Sequence, residues 1–205
     1  MAHVVIKKDK VVGYFVLDDR ADRCVVAEIG YDDVKIFPSM VKIFAQEAIG
    51  RRAERVEVCV PPNHPFVDHA VLYGAELTQG YPRNGSAMGV IINQETLFEK
   101  LLSELTARLE SGGFSDWSGK FAIITDLAST VFSVKRGQVT LSPRSRKLDG
   151  RLRLPQERLM QLVMGYRSLP AVLRDKGVRL TGNISSALET LFPKGFPYTW
   201  PPDHF

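Results

Sequence analysis

Cysteine is nearly absent from this chain: Cys24 and Cys59 are the only two among 205 residues, and they fall on separate predicted strands. A pair so placed makes neither a metal-ligand spacing nor a disulfide framework, so both read as core thiols and no metal site is expected. No apolar run approaches the ~20 residues that cross a bilayer, which excludes an expected membrane span. The opening MAHVVIKKDK alternates where a secretory signal would hold an unbroken apolar stretch, and a cytoplasmic location is the expectation. Internal repeats and low-complexity tracts are missing. Charge of one sign is missing too: 27 basic against 23 acidic groups leave only +4. The densest basic cluster, SPRSRKLDGRLR from Ser142 to Arg153, has no interleaved aromatic of the kind single-stranded nucleic-acid platforms use. It reads as a solvated hairpin loop, with a phosphate-facing patch as the alternative, and no nucleic-acid partner is expected.

What is present is an ordinary globular composition, 44% hydrophobic and 24% charged, long enough for one or two domains with real cores. HVVIKKDK and VVGYFVLDD are β-rich and meet at a turn around Asp9 and Lys10; CVVAEIG is a third apolar run. Val34, Phe37, Val41, Phe44 and Ala48 then recur at helical spacing up to Gly50, a C-terminal stop. RVEVCVPP sets Val56, Val58 and Val60 on one face of a strand that Pro61 and Pro62 end. NHPFVDHAVLYGAE predicts a short helix capped by Asn63 and closed at Gly74. Strand, helix, strand with buried valines implies a right-handed crossover and a mixed sheet.

After Asn93 a helix runs through Leu97, Leu101, Leu105 and Leu109 and fails at Gly112 and Gly113. GKFAIITD, TVFSVK and QVTLS follow as strands, the last two joined across Arg136 and Gly137 as a hairpin, and GRLRL alternates like an edge strand. From Pro155 onward the pattern is helical, with starts at Pro155, at Ser168 with Pro170, and at Asn183. The expected fold class is α+β: a partial mixed sheet with helices, then a β-meander against helices. The expected domains are 1–93 and 94–205.

The last fifteen residues, LFPKGFPYTWPPDHF, combine four prolines with Phe192, Phe196, Tyr198, Trp200 and Phe205. Proline prevents helix continuation, and the aromatics supply apolar area to dock the tail, which would fix the position of the terminal carboxylate.

VVGYFVL, AEIG, the helix from Phe37 to Ala48, VEVCVPPNHP and LYGAE together resemble the later part of a GCN5-related N-acetyltransferase fold. LMQLVMGYRS and the LFP…DHF ending resemble the sterol-carrier-like domain of relatives of the enhanced intracellular survival acetyltransferases. The first resemblance implies acetyl-coenzyme A held between splayed parallel strands at Ile29, Gly30 and Val34, with its pyrophosphate at a helix start. It also implies a small amine substrate, with Glu28 as base, Tyr73 as proton donor, and the carboxylate of Phe205 reaching the site as a base. His64 and His69, beside the short helix, are candidate proton carriers. Yet the matching loop, GYDDVKIFPSM, has Gly30 without further glycines, places Asp32 and Asp33 where pyrophosphate would lie, and has Pro38 where an N–H would serve. Degenerate or weak N-acetyltransferase activity is the implied function.

The second resemblance implies a binding or scaffold protein with an apolar cavity, lined by Phe121, Ile123, Phe132, Val134, Leu162 and Tyr166, for a lipid-like ligand; simple core is the alternative reading of these residues. A regulatory module without small-molecule ligand is a third reading. Relative to the acetyltransferase pattern, the first strand and two helices have no counterpart before Met1, so an uncovered sheet face and a homo-oligomer are expected.

Overall fold

A computed structural model describes residues 1–18, 23–80, 89–143, 145 and 147–203. The chain forms two compact units, Met1–Ala87 with Tyr198–Phe205, and Met88–Pro197. Each is a sheet packed with helices, which is the α+β class read from the sequence. Of the described tail residues, Tyr198–Asp203 group with the first unit and Leu191–Pro197 with the second.

In the first unit, β1 (Ala2–Lys7), β2 (Lys10–Leu17), β3 (Cys24–Tyr31) and β4 (Val56–Val58) lie in the order β1-β2-β3-β4. The first two pairings are antiparallel and β3 with β4 is parallel, so the helix α1 (Phe37–Arg51) is the crossover the valine pattern required. It buries Phe37, Met40, Phe44 and Ala48 against Phe15, Leu17, Val26 and Ile29 of the sheet. Two corrections concern helix ends. Gly50 lies inside α1; the left-handed C-cap is Arg52, φ 55°, whose N–H reaches the carbonyls of Ala48 and Ile49. The turn toward β4 sets where that conformation falls, and a glycine nearby does not move it. In α2 (Pro65–Val71) the N-cap is His64, not Asn63: His64 Nδ1 accepts from the Phe66 N–H at 3.1 Å.

The second unit is built on a five-stranded sheet in the order β7-β6-β5-β8-β9. Its members are β5 (Gly119–Ile124), β6 (Ser129–Lys135), β7 (Gln138–Ser142), β8 (Gly150–Arg153) and β9 (Arg179–Gly182). The helices are α3 (Gln94–Ser111), α4 (Gln156–Val163), α5 (Leu169–Val172) and α6 (Ser185–Leu191). Arg136 (φ 47°) and Gly137 (φ 74°) make the β6–β7 hairpin turn with both central residues left-handed, as a tight hairpin demands. GRLRL is not an edge: β8 pairs parallel with β5 and antiparallel with β9. Its alternation reports one buried face, with Leu152 inward and both arginines outward, and carries no information on edge position. The edge strand β9 is short and had no β-rich signal of its own. Asn183 does not cap α6; the N-cap is Ile184, without a side-chain bond. The core packs Phe98, Leu105 and Leu109 of α3, Leu159 and Leu162 of α4, and Leu188 and Leu191 of α6 on Phe121, Ile123, Phe132 and Leu152.

Candidate functional site

The first unit contains a strand splay. β3 and β4 pair from Cys24 with Val56 to Val26 with Val58, and the Cys59 N–H closes on the Val26 carbonyl at 2.8 Å. From there β3 continues through Tyr31 while the other chain turns away at Pro61 and Pro62, residues without an N–H to offer the ladder. The tail's single helical turn, Pro201–Asp203, lies beside β3. Its aromatics join a chain of ring contacts: Tyr198 with Trp200 at 5.3 Å, Trp200 with His64 at 6.0 Å, His64 with Tyr31 at 5.3 Å, and Tyr31 with Phe37 at 4.9 Å. Edge-to-face rings of this kind add to plain area burial. Burial lowers the pKa of His64, favouring the neutral ring whose Nδ1 holds the α2 cap.

Glu28 sits on β3 and accepts a hydrogen bond from Tyr14 Oη at 2.5 Å. Tyr14 pairs directly with Gly30 across β2 and β3, and a methyl group on Gly30 would lie 2.1 Å from Tyr14 Cε1. Gly30 is therefore the seat of the Tyr14 ring. The bond to Glu28 raises the Tyr14 pKa, with burial and the charges of Glu28 and Asp203 acting in the same direction. The phenol thus stays a proton donor at neutral pH, next to a carboxylate acceptor. Tyr14 is the residue that the sequence reading missed. Its partner lies fourteen residues on, and only the antiparallel register brings the two together.

Of the other positions assigned from the resemblance, Ile29 is buried in the core, and Val34, 48% exposed, opens a 3-10 turn, Val34–Ile36. Tyr73 is 62% exposed just beyond α2, its ring 5.4 Å from that of His69. His69 Nε2 is buried without a hydrogen-bond partner among the described residues. No hydrogen bond joins Tyr73 to Glu28 among the described residues. Phe205 lies outside the described residues.

The loop after β3 fails the test for a pyrophosphate cradle. The Asp32 N–H donates to the Val12 carbonyl (3.0 Å), and the Ile36 N–H to the Asp33 carbonyl (3.2 Å). The Lys35 N–H donates to Asp33 Oδ1 (3.0 Å), and Pro38 in the first turn of α1 has none to give. The Lys35 N–H bond, reinforced by the Lys35 ammonium 3.4 Å away, holds the Asp33 carboxyl below the usual carboxylate range. An anion arriving here meets a carboxylate and donors already engaged; the residues do not fit coenzyme A phosphates.

In the second unit, Phe121, Ile123, Phe132, Val134 and Leu162 are buried. The Phe121 ring stacks on Phe132 at 4.8 Å and Phe98 meets Phe132 edge-on at 4.8 Å. Tyr166 falls beyond the end of α4 and is 58% exposed, so it stands apart from this cluster. The buried Gln94 donates from Nε2 to the Ile123 carbonyl (3.2 Å) and Thr130 Oγ1 (3.0 Å), and its Oε1 accepts from Thr125 Oγ1 (2.7 Å). Cys24 is buried, its thiol donating to the Phe44 carbonyl at 3.7 Å, and burial raises the pKa of both thiols, which suits core roles. Among the described residues no cluster of potential metal ligands occurs and no helix is long and apolar enough to cross a membrane.

No protein-family model and no curated protein matches the chain. Solved structures do match at low identity, and they are of acetyltransferase and sterol-carrier type among others. A GCN5-related N-acetyltransferase from Kribbella flavida is 17% identical with a TM-score of 0.49, covering 91% of this chain and 45% of its own. Sterol carrier protein 2 from Yarrowia lipolytica, in its apo form, is 16% identical with a TM-score of 0.35, covering 52% of this chain and 99% of its own. A stereoselective inverting sec-alkylsulfatase from Pseudomonas sp. is 16% identical with a TM-score of 0.40 over 52% of this chain. The chain spans 17% of that sulfatase and less than half of the Kribbella protein.

Proposed function

We propose that the first unit is a degenerate acetyltransferase-type module, with weak or absent acetyl-coenzyme A dependent N-acetyltransferase activity, and that the second is a sterol-carrier-like module. The observation that carries this reading is the loop after β3, where the N–H groups of Asp32, Lys35 and Ile36 are engaged and Asp33 presents its carboxylate. What such a module keeps is proton handling: Glu28 as acceptor on β3, the strand beside the Pro201–Asp203 turn, and Tyr14 as donor on neighbouring β2. A small amine would be the acceptor, with the Phe205 carboxylate, two residues past Asp203, as its base. Calorimetric titration with acetyl-coenzyme A tests the reading. It expects no saturable heat; saturable binding at micromolar concentration overturns it. Any residual turnover should vanish on deleting residues 203–205, and unchanged turnover removes Phe205 from the scheme.

A second reading, apolar-ligand binding by the second unit, is favoured by one feature of its surface. Gln156 at the start of α4 donates from Nε2 to the Ile91 carbonyl (2.6 Å) and from its backbone N–H to Asp126 Oδ1 (2.7 Å). Exposed Val90 and Ile92 flank Ile91, and exposed Leu127 follows Asp126, so Gln156 ties together two segments with apolar side chains on which a lipid chain would enter. Native mass spectrometry should then show a retained lipid, and an empty protein with unchanged core packing counts against it. Exposed Val4, Ile6 and Val11 on β1 and β2 support self-association through the open sheet face. Sedimentation as a monomer at micromolar concentration speaks against that assembly.

A further inference from the structure

The outward face of β8 and β9 holds three arginines around a hollow. Arg151 and Arg153 alternate with buried Gly150 and Leu152, and the register sets Arg151 opposite Thr181 and Arg153 opposite Arg179. Together with Ile124, which pairs with Arg153 from β5, and Gly177, they line an open hollow of about 310 Å³. That is roughly ten water volumes. Like charges directly opposite one another on a sheet face are destabilising. Among the described residues none of the three arginines has a carboxylate partner. The acidic groups nearest in the chain are engaged elsewhere. Asp149 Oδ2 accepts from the Lys120 N–H at 2.7 Å. Asp175 is held by Arg167 at 2.5 and 3.0 Å and by Arg158 at 2.6 Å. The chain thus pairs its arginines at Asp175 and leaves three unpaired where a concavity exists.

We propose that this hollow binds the phosphate group of a small phosphorylated molecule. Guanidinium forks match the peripheral oxygens of a phosphate dianion, Thr181 adds a hydroxyl whose long bond to the Arg151 carbonyl, 3.5 Å, would have to be exchanged, and Ile124 with Gly177 offers an apolar wall to the body that carries the phosphate. Among the described residues no aromatic lines the hollow, which is unlike a surface that stacks nucleobases. The proposal is independent of the reading of the first unit.

Titration of the full chain at low salt with inorganic pyrophosphate, followed by phosphorus NMR and calorimetry, tests it. Saturable binding is expected, weakened roughly tenfold by Arg153→Gln and by Arg179→Gln, less by Arg153→Lys, which keeps the charge without the fork. Lys100→Gln, on the exposed face of α3, should change nothing. All three positions are exposed, and circular dichroism checks the folding of each of the four variants. Displacement of pyrophosphate by phosphatidylcholine vesicles containing phosphatidic acid, and not by phosphatidylcholine alone, assigns the phosphate to a lipid headgroup. Failure of both vesicles to compete assigns it to a soluble phosphorylated compound. Absence of binding in the wild type, or binding by Arg153→Gln and Arg179→Gln as tight as that of the wild type, overturns the proposal.

Discussion

Substituting Gly30 by alanine separates two accounts of that glycine, a cofactor contact and a seat for Tyr14. The new methyl would stand 2.1 Å from Tyr14 Cε1, far inside contact distance, and the clash is with a side chain that is 39% exposed and free to swing outward. Swinging out takes Oη from Glu28. A hydrogen bond to a charged group is worth about 1.5–3 kcal/mol when shielded, and exposure at this site discounts it to about 0.5–1 kcal/mol. Against that loss, alanine in a strand gains about 0.5–1 kcal/mol over glycine from reduced backbone entropy. The two terms nearly cancel, so melting temperature is the wrong readout. Phenolate absorbance is the right one. Because Glu28 raises the Tyr14 pKa, the bond stabilises the fold fully below the ordinary phenol pKa and is lost as pH rises through the raised value. In Gly30→Ala the Tyr14 titration, obtained by difference against Tyr14→Phe in each background, should fall back toward the ordinary value. An unchanged Tyr14 titration refutes the seating argument.

The remaining predictions concern the tail and the two cores. His64 has a lowered pKa, so its contribution is present above the ordinary imidazole value and is lost as pH falls through the folded one. Trp200 fluorescence, isolated by difference against Trp200→Phe, should change over that acid window, and His64→Asn, which retains a capping side chain, should abolish the transition. Gln94→Ala removes the side-chain donor to the Ile123 carbonyl and Thr130 Oγ1 and the acceptor of the Thr125 hydroxyl, and should cost about 2–4 kcal/mol in urea unfolding; a loss under 1 kcal/mol contradicts the network. Gly182 has φ 82° and its added methyl would meet the Asp149 carbonyl oxygen at 1.9 Å, so Gly182→Ala should destabilise by more than about 3 kcal/mol or prevent folding. Gly50→Ala, with open space around the same position on α1, should be neutral or stabilise by up to about 1 kcal/mol, which thermal melts will show.

The local patterns of the chain were sufficient for most of its regular elements, although the helical reading after Pro155 missed the strand Arg179–Gly182. Helical spacing from Phe37 to Ala48 yields α1 and its buried face, paired valines yield β3 and β4 with a crossover between, and Arg136-Gly137 yields a tight hairpin, because each depends on neighbours within a few residues. The helix caps were less legible: His64 competes with Asn63 for one N–H, and only the direction in which the chain enters α2 decides between them. Strand order was not legible where a four-residue segment, Arg179–Gly182, takes the edge and moves β8 inward. The unpredicted features of chemical interest share that origin. Tyr14 meets Glu28 over Gly30, and Arg153 faces Arg179, through antiparallel registers that join residues fourteen and twenty-six positions apart. Sequence alone determined most of the strands and helices, since burial periodicity is local, but not β9, which lies in the stretch that reads as helical. The tertiary structure decided which side chains meet across the sheets, since a register shift of one residue would turn every one of them to the opposite face.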